Sequence, residues 1–129
     1  MRVSLPLCGI AFCVLLVPLL GAQDATKADS KHYTVISEND EVRILKVHYG
    51  PHEKSVMHSH PDAVAVFLTG SKGRFTTPDG KTQDTTFQPG QALFTPAQTH
   101  LPENLGDKPF DLILVELKGK QSQSAMNNK

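Results

Sequence analysis

Turn-forming residues recur along this chain at intervals too short for helices. Asn39-Asp40, Gly50-Pro51, Gly70 to Gly73, Pro78-Asp79-Gly80, Gln88-Pro89-Gly90 and Gly106 to Pro109 cut it into short runs. That punctuation predicts strands at 32–36, 42–49, 56–60, 63–68, 74–77, 81–87, 91–95, 100–104 and 110–117. Pro78-Asp79-Gly80 is one of the clearest hairpin signals in the chain. No helix is expected once the first 22 residues are passed. Many short strands at this spacing point to an all-β sandwich or barrel, with one small interior enclosed by two sheets or a rolled one.

The amino terminus reads differently. Met1-Arg2 is a short basic start, Val3 to Leu20 is almost wholly apolar, and Leu20-Gly21-Ala22 ends in small residues. This is the pattern of a secretory signal peptide cleaved after Ala22, which predicts a periplasmic or secreted protein. The competing reading is an uncleaved membrane anchor, since the apolar run is nearly long enough to span a bilayer. Both cysteines, Cys8 and Cys13, fall inside it. The remaining chain from Gln23 then has no disulfide, thiol nucleophile or thiolate ligand, so any metal must be held by nitrogen and oxygen. Its 107 residues suit one small domain. Residues 23–31 read as a polar, flexible lead-in, 32–118 as the folded domain and 119–129 as a disordered tail. Charge is balanced, with no basic stripe, and Trp is absent. This argues against nucleic acid as a partner, and membrane contact is expected only if the leader is retained.

Three histidines carry the chemistry. His58 and His60 form an H-x-H pair, and His100 follows forty positions later. A strand turns every second side chain to one face, so the pair is about 6.6 Å apart at Cα and both rings can reach one ion. A third imidazole from a neighbouring strand completes a tripod that leaves coordination positions open. The alternative is a metal-free barrel whose histidines are core or pocket hydrogen-bonders.

The residues framing the histidines resemble the two motifs of the cupin superfamily. Gly50, His58-Ser59-His60 and Gly70 supply most of the first motif, with two extra residues before the histidines; Gly90, Pro96, His100 and Asn104 fall in place in the second. The resemblance covers roughly 42–117 and implies a single-domain cupin-type jelly-roll β-barrel with one divalent ion, Fe, Zn, Mn, Ni or Cu, on His58, His60 and His100. Two departures stand out. The glutamate of the first motif is absent, its place falling to Ala63 or Val64, and Gln98 replaces the glycine of the second motif, with one residue lost before His100. Some cupins, such as the thiol dioxygenases, are similar in using three histidines alone. Without the carboxylate the site keeps one more positive charge, which favours an anionic ligand.

Other positions have a part to play or a plainer role. Asp62, just past the bend at Pro61, is the nearest carboxylate in sequence and the one visible side-chain proton acceptor; a solvated turn acid is the plainer reading. Gln98 is a candidate ligand or donor beside the ion. His48 could look inward, against a surface or partly buried reading. Val64, with Val66 and Leu68, shares the parity of the histidine pair if the strand is unbroken. Glu103 has the opposite parity to His100 and should point away. Asn104 is expected to cap the turn that follows it. Two functions of different class remain open. One is a metalloenzyme, dioxygenase-, lyase- or isomerase-like, acting on a small anionic or chelating organic molecule; the other is a non-catalytic small-molecule or metal-binding module. Strand 33–36 is a candidate edge for a homodimer.

Overall fold

The computed structural model describes residues 22–119. The leader and the tail expected beyond them lie outside these residues, apart from Ala22 and Gly119 at the margins. Nine strands form two antiparallel sheets: β1 (Tyr33–Glu38), β2 (Val42–Tyr49), β3 (His58–His60), β4 (Ala63–Phe67), β5 (Ser71–Thr76), β6 (Thr82–Phe87), β7 (Ala92–Thr95), β8 (Gln98–Asn104) and β9 (Phe110–Leu117). One sheet has the order β1-β2-β9-β4-β7 and the other β3-β8-β5-β6. The crossovers between the sheets make a jelly-roll barrel, as the turn spacing predicts. The β5–β6 hairpin closes at Pro78-Asp79-Gly80, where Gly80 takes φ 82°, a conformation that costs a glycine little. Among the described residues no helix is long and apolar enough to cross a membrane.

Alternation builds the interior. Leu45, Val47 and Tyr49 of β2, Ala63, Ala65 and Phe67 of β4, and Phe110, Leu112 and Leu114 of β9 turn inward from the five-stranded sheet and are buried. Phe87 of the opposite sheet stacks on Phe67 with ring centroids 4.0 Å apart. Burying large aromatic side chains against one another is the main driving force available to a chain with no disulfide in the described residues.

Two expectations need correction. The stretch 23–31 is not a loose lead-in: Ala25–Ala28 forms one helical turn, α1, capped by the Asp24 side chain on the Thr26 N–H at 3.0 Å. Ala25 is fully buried, and the Gln23 carbonyl accepts from the Ser59 N–H at 2.8 Å. The alternation of apolar residues after His60 also slips by one. The bend at Pro61-Asp62 carries the chain from the four-stranded sheet to the five-stranded one. Ala63, Ala65 and Phe67 therefore face inward, while Val64 and Val66 take the outer face and Leu68 is exposed.

Candidate metal centre

The strand ladder brings the histidines together. His58 of β3 is the direct cross-strand partner of His100 of β8, and His60 pairs with Gln98. Directly opposed side chains lie close at Cβ, so the ladder alone sets His100 against the H-x-H pair. All three rings are buried, His58 completely. One ring nitrogen from each lies within 4.8 Å of the other two. The rings stand nearly perpendicular, at 89° for His58 with His60, 89° for His58 with His100 and 77° for His60 with His100. These three histidines are close enough to bind one metal ion.

The hydrogen bonds fit that use. His58 Nδ1 donates to the Val56 carbonyl at 2.8 Å, and His60 Nδ1 donates to Glu116 Oε1 at 2.7 Å. Each ring thus carries its proton on Nδ1 and turns a lone pair on Nε2 toward the other, the two Nε2 atoms being 3.0 Å apart. Two lone pairs at that distance repel unless a cation or a proton sits between them. Neither ring nitrogen of His100 has a hydrogen-bond partner, although both are buried. Unpartnered buried polar atoms are costly, and a metal ion relieves that cost. Burial first, and the neighbouring His60 second, lower His58 to about 4. Burial, then His60 and His58, lower His100 to about 3. At neutral pH both imidazoles are therefore neutral, the state that binds metals.

A residue with no part in the sequence reading completes the arrangement. Glu116 of β9 is 1% exposed and is the cross-strand partner of Ala63, one of the two positions left without the motif glutamate. The carboxylate comes from the neighbouring strand instead, and it lies behind His60. Its second oxygen accepts from Arg43 Nε at 2.6 Å, and Arg43 also pairs with Asp24 of the amino-terminal segment. A second string backs His58: Ser55 Oγ lies 3.3 Å from its Nδ1 and donates to Asp29, which accepts from His32 Nδ1 at 2.6 Å. Carboxylate and carbonyl partners of this kind fix the tautomer and orientation of a ligand ring.

A cavity of about 1090 Å³ opens between the sheets, and His60 and His100 reach its wall; Tyr33, Phe67, Phe75 and Leu112 are among its apolar lining. The Tyr33 ring packs edge-on against His58 at 4.8 Å, and its hydroxyl and that of Tyr49 are 2.9 Å apart. Gln98 lines the cavity and is exposed. Asp62 is buried, but it is not among the cavity lining; its Oδ1 accepts from the Ala97 N–H at 2.7 Å, tying the bend to the turn before β8. His48 is not at the pocket. It lies on the outer face of β2, with its side chain 52% exposed and paired to Asp111 at 2.9 Å. Val64 is likewise outside the cavity, for the parity reason given above. Asn104 caps its turn as expected, accepting from the Gly106 N–H at 2.9 Å.

The Cupin domain family profile matches residues 45–116, more than half of the chain. Similar solved structures include a cupin domain from Bordetella pertussis Tohama I, with 25% identity over 67% of this chain and 92% of that one and a TM-score of 0.63. A conserved protein with a double-stranded β-helix domain from Klebsiella pneumoniae has 22% identity over 69% of this chain and 77% of that one, TM-score 0.55. A cupin superfamily protein from Desulfitobacterium hafniense DCB-2 has 18% identity over 67% of this chain and 76% of that one, TM-score 0.51. The last two bear on the fold alone. No curated protein matches this chain.

Proposed function

The chain belongs to the Cupin domain family, and from that premise we propose that it holds one divalent metal ion on His58, His60 and His100 and presents it to a small anionic or chelating organic molecule. The observation that carries this reading is the pair of Nε2 lone pairs 3.0 Å apart beside the two unpartnered nitrogens of His100. Three neutral imidazoles leave the charge of a divalent ion uncompensated, which favours a ligand that brings oxygen anions. Such an ion, Fe, Zn, Mn, Ni or Cu, supplies Lewis acidity toward bound oxygens, or redox chemistry where it is Fe, Mn, Ni or Cu. The protein's own residues do the rest. Glu116 and the Val56 carbonyl hold the protons of His60 and His58 on Nδ1. The two sheets set the rings against a largely apolar wall, with Tyr33, Phe67, Phe75 and Leu112 around the site.

The reaction class is dioxygenase-, lyase- or isomerase-like. A non-catalytic binding module is the second reading. It is favoured by the absence of Asp62 from the cavity lining and by the engagement of both Glu116 oxygens, which leave no spare carboxylate beside the rings among the described residues. The test is metal analysis of protein purified without an affinity tag, with His58→Ala beside it. One metal per chain, lost in the variant, supports the centre; no metal in either, after exposure to each of the five ions, refutes it. Oxygen uptake or substrate conversion by the loaded protein then favours the enzyme, and its absence the binding module. Export through the amino-terminal leader and pairing of two copies along edge strand β1, where Val35 and Ile36 are exposed, belong to the same proposal. Retention of residues 1–22 in purified protein, or a monomeric mass in solution, counts against each in turn.

A further inference from the structure

The wall of the cavity beyond the histidines is largely aromatic, and its one cation among the described lining, Lys81, is exposed and already paired with Asp79. Phe75 stacks on His100 with ring centroids 5.4 Å apart and an interplanar angle of 29°. Phe87 stands edge-on to Phe75 at 6.0 Å, and Phe67 and Phe110 continue the surface, Phe67 lying 5.8 Å from Phe110. The charged residues among the lining are Asp79, Lys81 and Glu103. Asp79 and Lys81 pair with each other at 2.9 Å in the exposed β5–β6 turn. Glu103 alternates to the face of β8 opposite His100. A charged group lying along Phe75, Phe87 and Phe67 would therefore be buried against phenyl rings with no unpaired ion of opposite sign beside it, a large desolvation cost. A flat apolar body meets ring faces and edges instead, which stabilise it beyond simple burial.

Building on the metal-centre reading above, we infer that this cavity selects an aromatic chelator: an anionic pair of adjacent oxygens directed to the histidines, and a flat, uncharged ring body lying along Phe75, Phe87 and Phe67. This narrows the ligand within the broader anionic or chelating class. Compact polyanions such as di- and tricarboxylates satisfy an ion equally well but leave the aromatic wall bare and their remaining charges unpaired. The cavity volume of about 1090 Å³ has room for a multi-ring molecule.

The test uses the described protein loaded with Co(II), with metal retention checked by elemental analysis after each titration. The probes are 2,3-dihydroxynaphthalene, catechol and citrate. The expected result is that 2,3-dihydroxynaphthalene binds about tenfold tighter than catechol, the extra ring being buried, and tighter still than citrate. Phe75→Leu keeps an apolar side chain but removes the ring; compared at one Co(II) per chain, it should erase most of the advantage over catechol. Citrate binding as tightly as 2,3-dihydroxynaphthalene, or equal affinities for the one-ring and two-ring probes, overturns the inference. Failure of Co(II) and then of each of the five ions to load overturns the metal-centre reading instead. In that case 2-naphthol and phenol are titrated into the metal-free chain: a tenfold preference for 2-naphthol upholds the aromatic selectivity of the cavity, and equal binding overturns it.

Discussion

Replacing Glu116 by Gln isolates the carboxylate behind His60. The substitution keeps length and volume at a site 1% exposed, so it opens no cavity. It removes one of two acceptor oxygens. Glu116 now accepts from His60 Nδ1 at 2.7 Å with Oε1 and from Arg43 Nε at 2.6 Å with Oε2. A glutamine amide has one oxygen and one NH2 group. The oxygen stays with Arg43, whose charge makes the stronger bond, and the NH2 then faces His60. Two donors cannot face each other, so the His60 proton moves to Nε2, the nitrogen that the metal needs. Disturbing a ligand's supporting partner costs metal affinity on the order of 10- to 100-fold, about 1.4 to 2.7 kcal/mol. The assay is competition for Co(II) or Zn(II) against a chromogenic chelator at pH 7.5, with the urea midpoint measured on the same preparations. The reasoning predicts weaker metal binding with the fold retained. Native-like affinity in Glu116→Gln, alongside complete loss in His60→Ala, would show that Glu116 is a strut for Arg43 and no more. Glu116→Ala is the poorer probe: it leaves Arg43 with Asp24 as its remaining carboxylate and opens a cavity behind His60, so stability and metal affinity fall together.

Three further outcomes are expected. His100→Leu removes two buried nitrogens that have no partner, so the metal-free protein should be as stable as native or more so, while metal binding is lost; a lower urea midpoint without metal would show that His100 is a structural residue. The metal-free protein should lose stability in acid: His58 at about 4 and His100 at about 3 lie below the 6.5 of a free imidazole, so the unfolded chain takes up protons that the folded one refuses. That contribution is complete above about pH 6.5 and is lost as the pH falls through 4 and 3, and urea midpoints with the same value at pH 7 and pH 4 would refute it. Asn104→Ala should cost about 2 to 4 kcal/mol in urea unfolding, since the side chain is 2% exposed and donates to the Gly50 and Lys108 carbonyls at 2.9 Å each; a loss under about 0.5 kcal/mol would mean that water replaces those bonds.

The barrel was legible because turn residues and alternation are local signals. Strands 42–49 and 110–117 stand where their patterns put them. The histidine triad was legible because the second histidine-bearing run follows a Gly/Pro frame of its own. Glu116 was not, although its signal was present: in Phe110-Asp111-Leu112-Ile113-Leu114-Val115-Glu116, position 116 has the parity of the buried Phe110, Leu112 and Leu114. Read as one nearly continuous apolar strand, β9 hid a charge on its inward face. Arg43, in step with Leu45, Val47 and Tyr49, is the matching signal on β2. Val64 went astray for another reason, while His48 stands at the surface, as its plainer reading has it. The sheet change at Pro61-Asp62 shifts the count by one, and the face that β2 presents follows from its partners β1 and β9. The packed turn at Ala25–Ala28 is too short to show a periodicity, and its contacts with β1 and β3, with the Asp24–Arg43 pair beside them, make it part of the domain.

Those contacts bear on how the molecule can be handled. Anything fused or tethered near Gln23 pulls on Asp24, and through Arg43 and Glu116 the tension arrives at an imidazole. At the other end, Lys118 is held by a backbone bond to Glu41 and a surface pairing with Glu38, and it lies two residues past Glu116, the carboxylate bonded to His60. Both ends of the domain therefore load the same ring, and labels belong on outer-face side chains away from them, such as Lys46, which is exposed on β2.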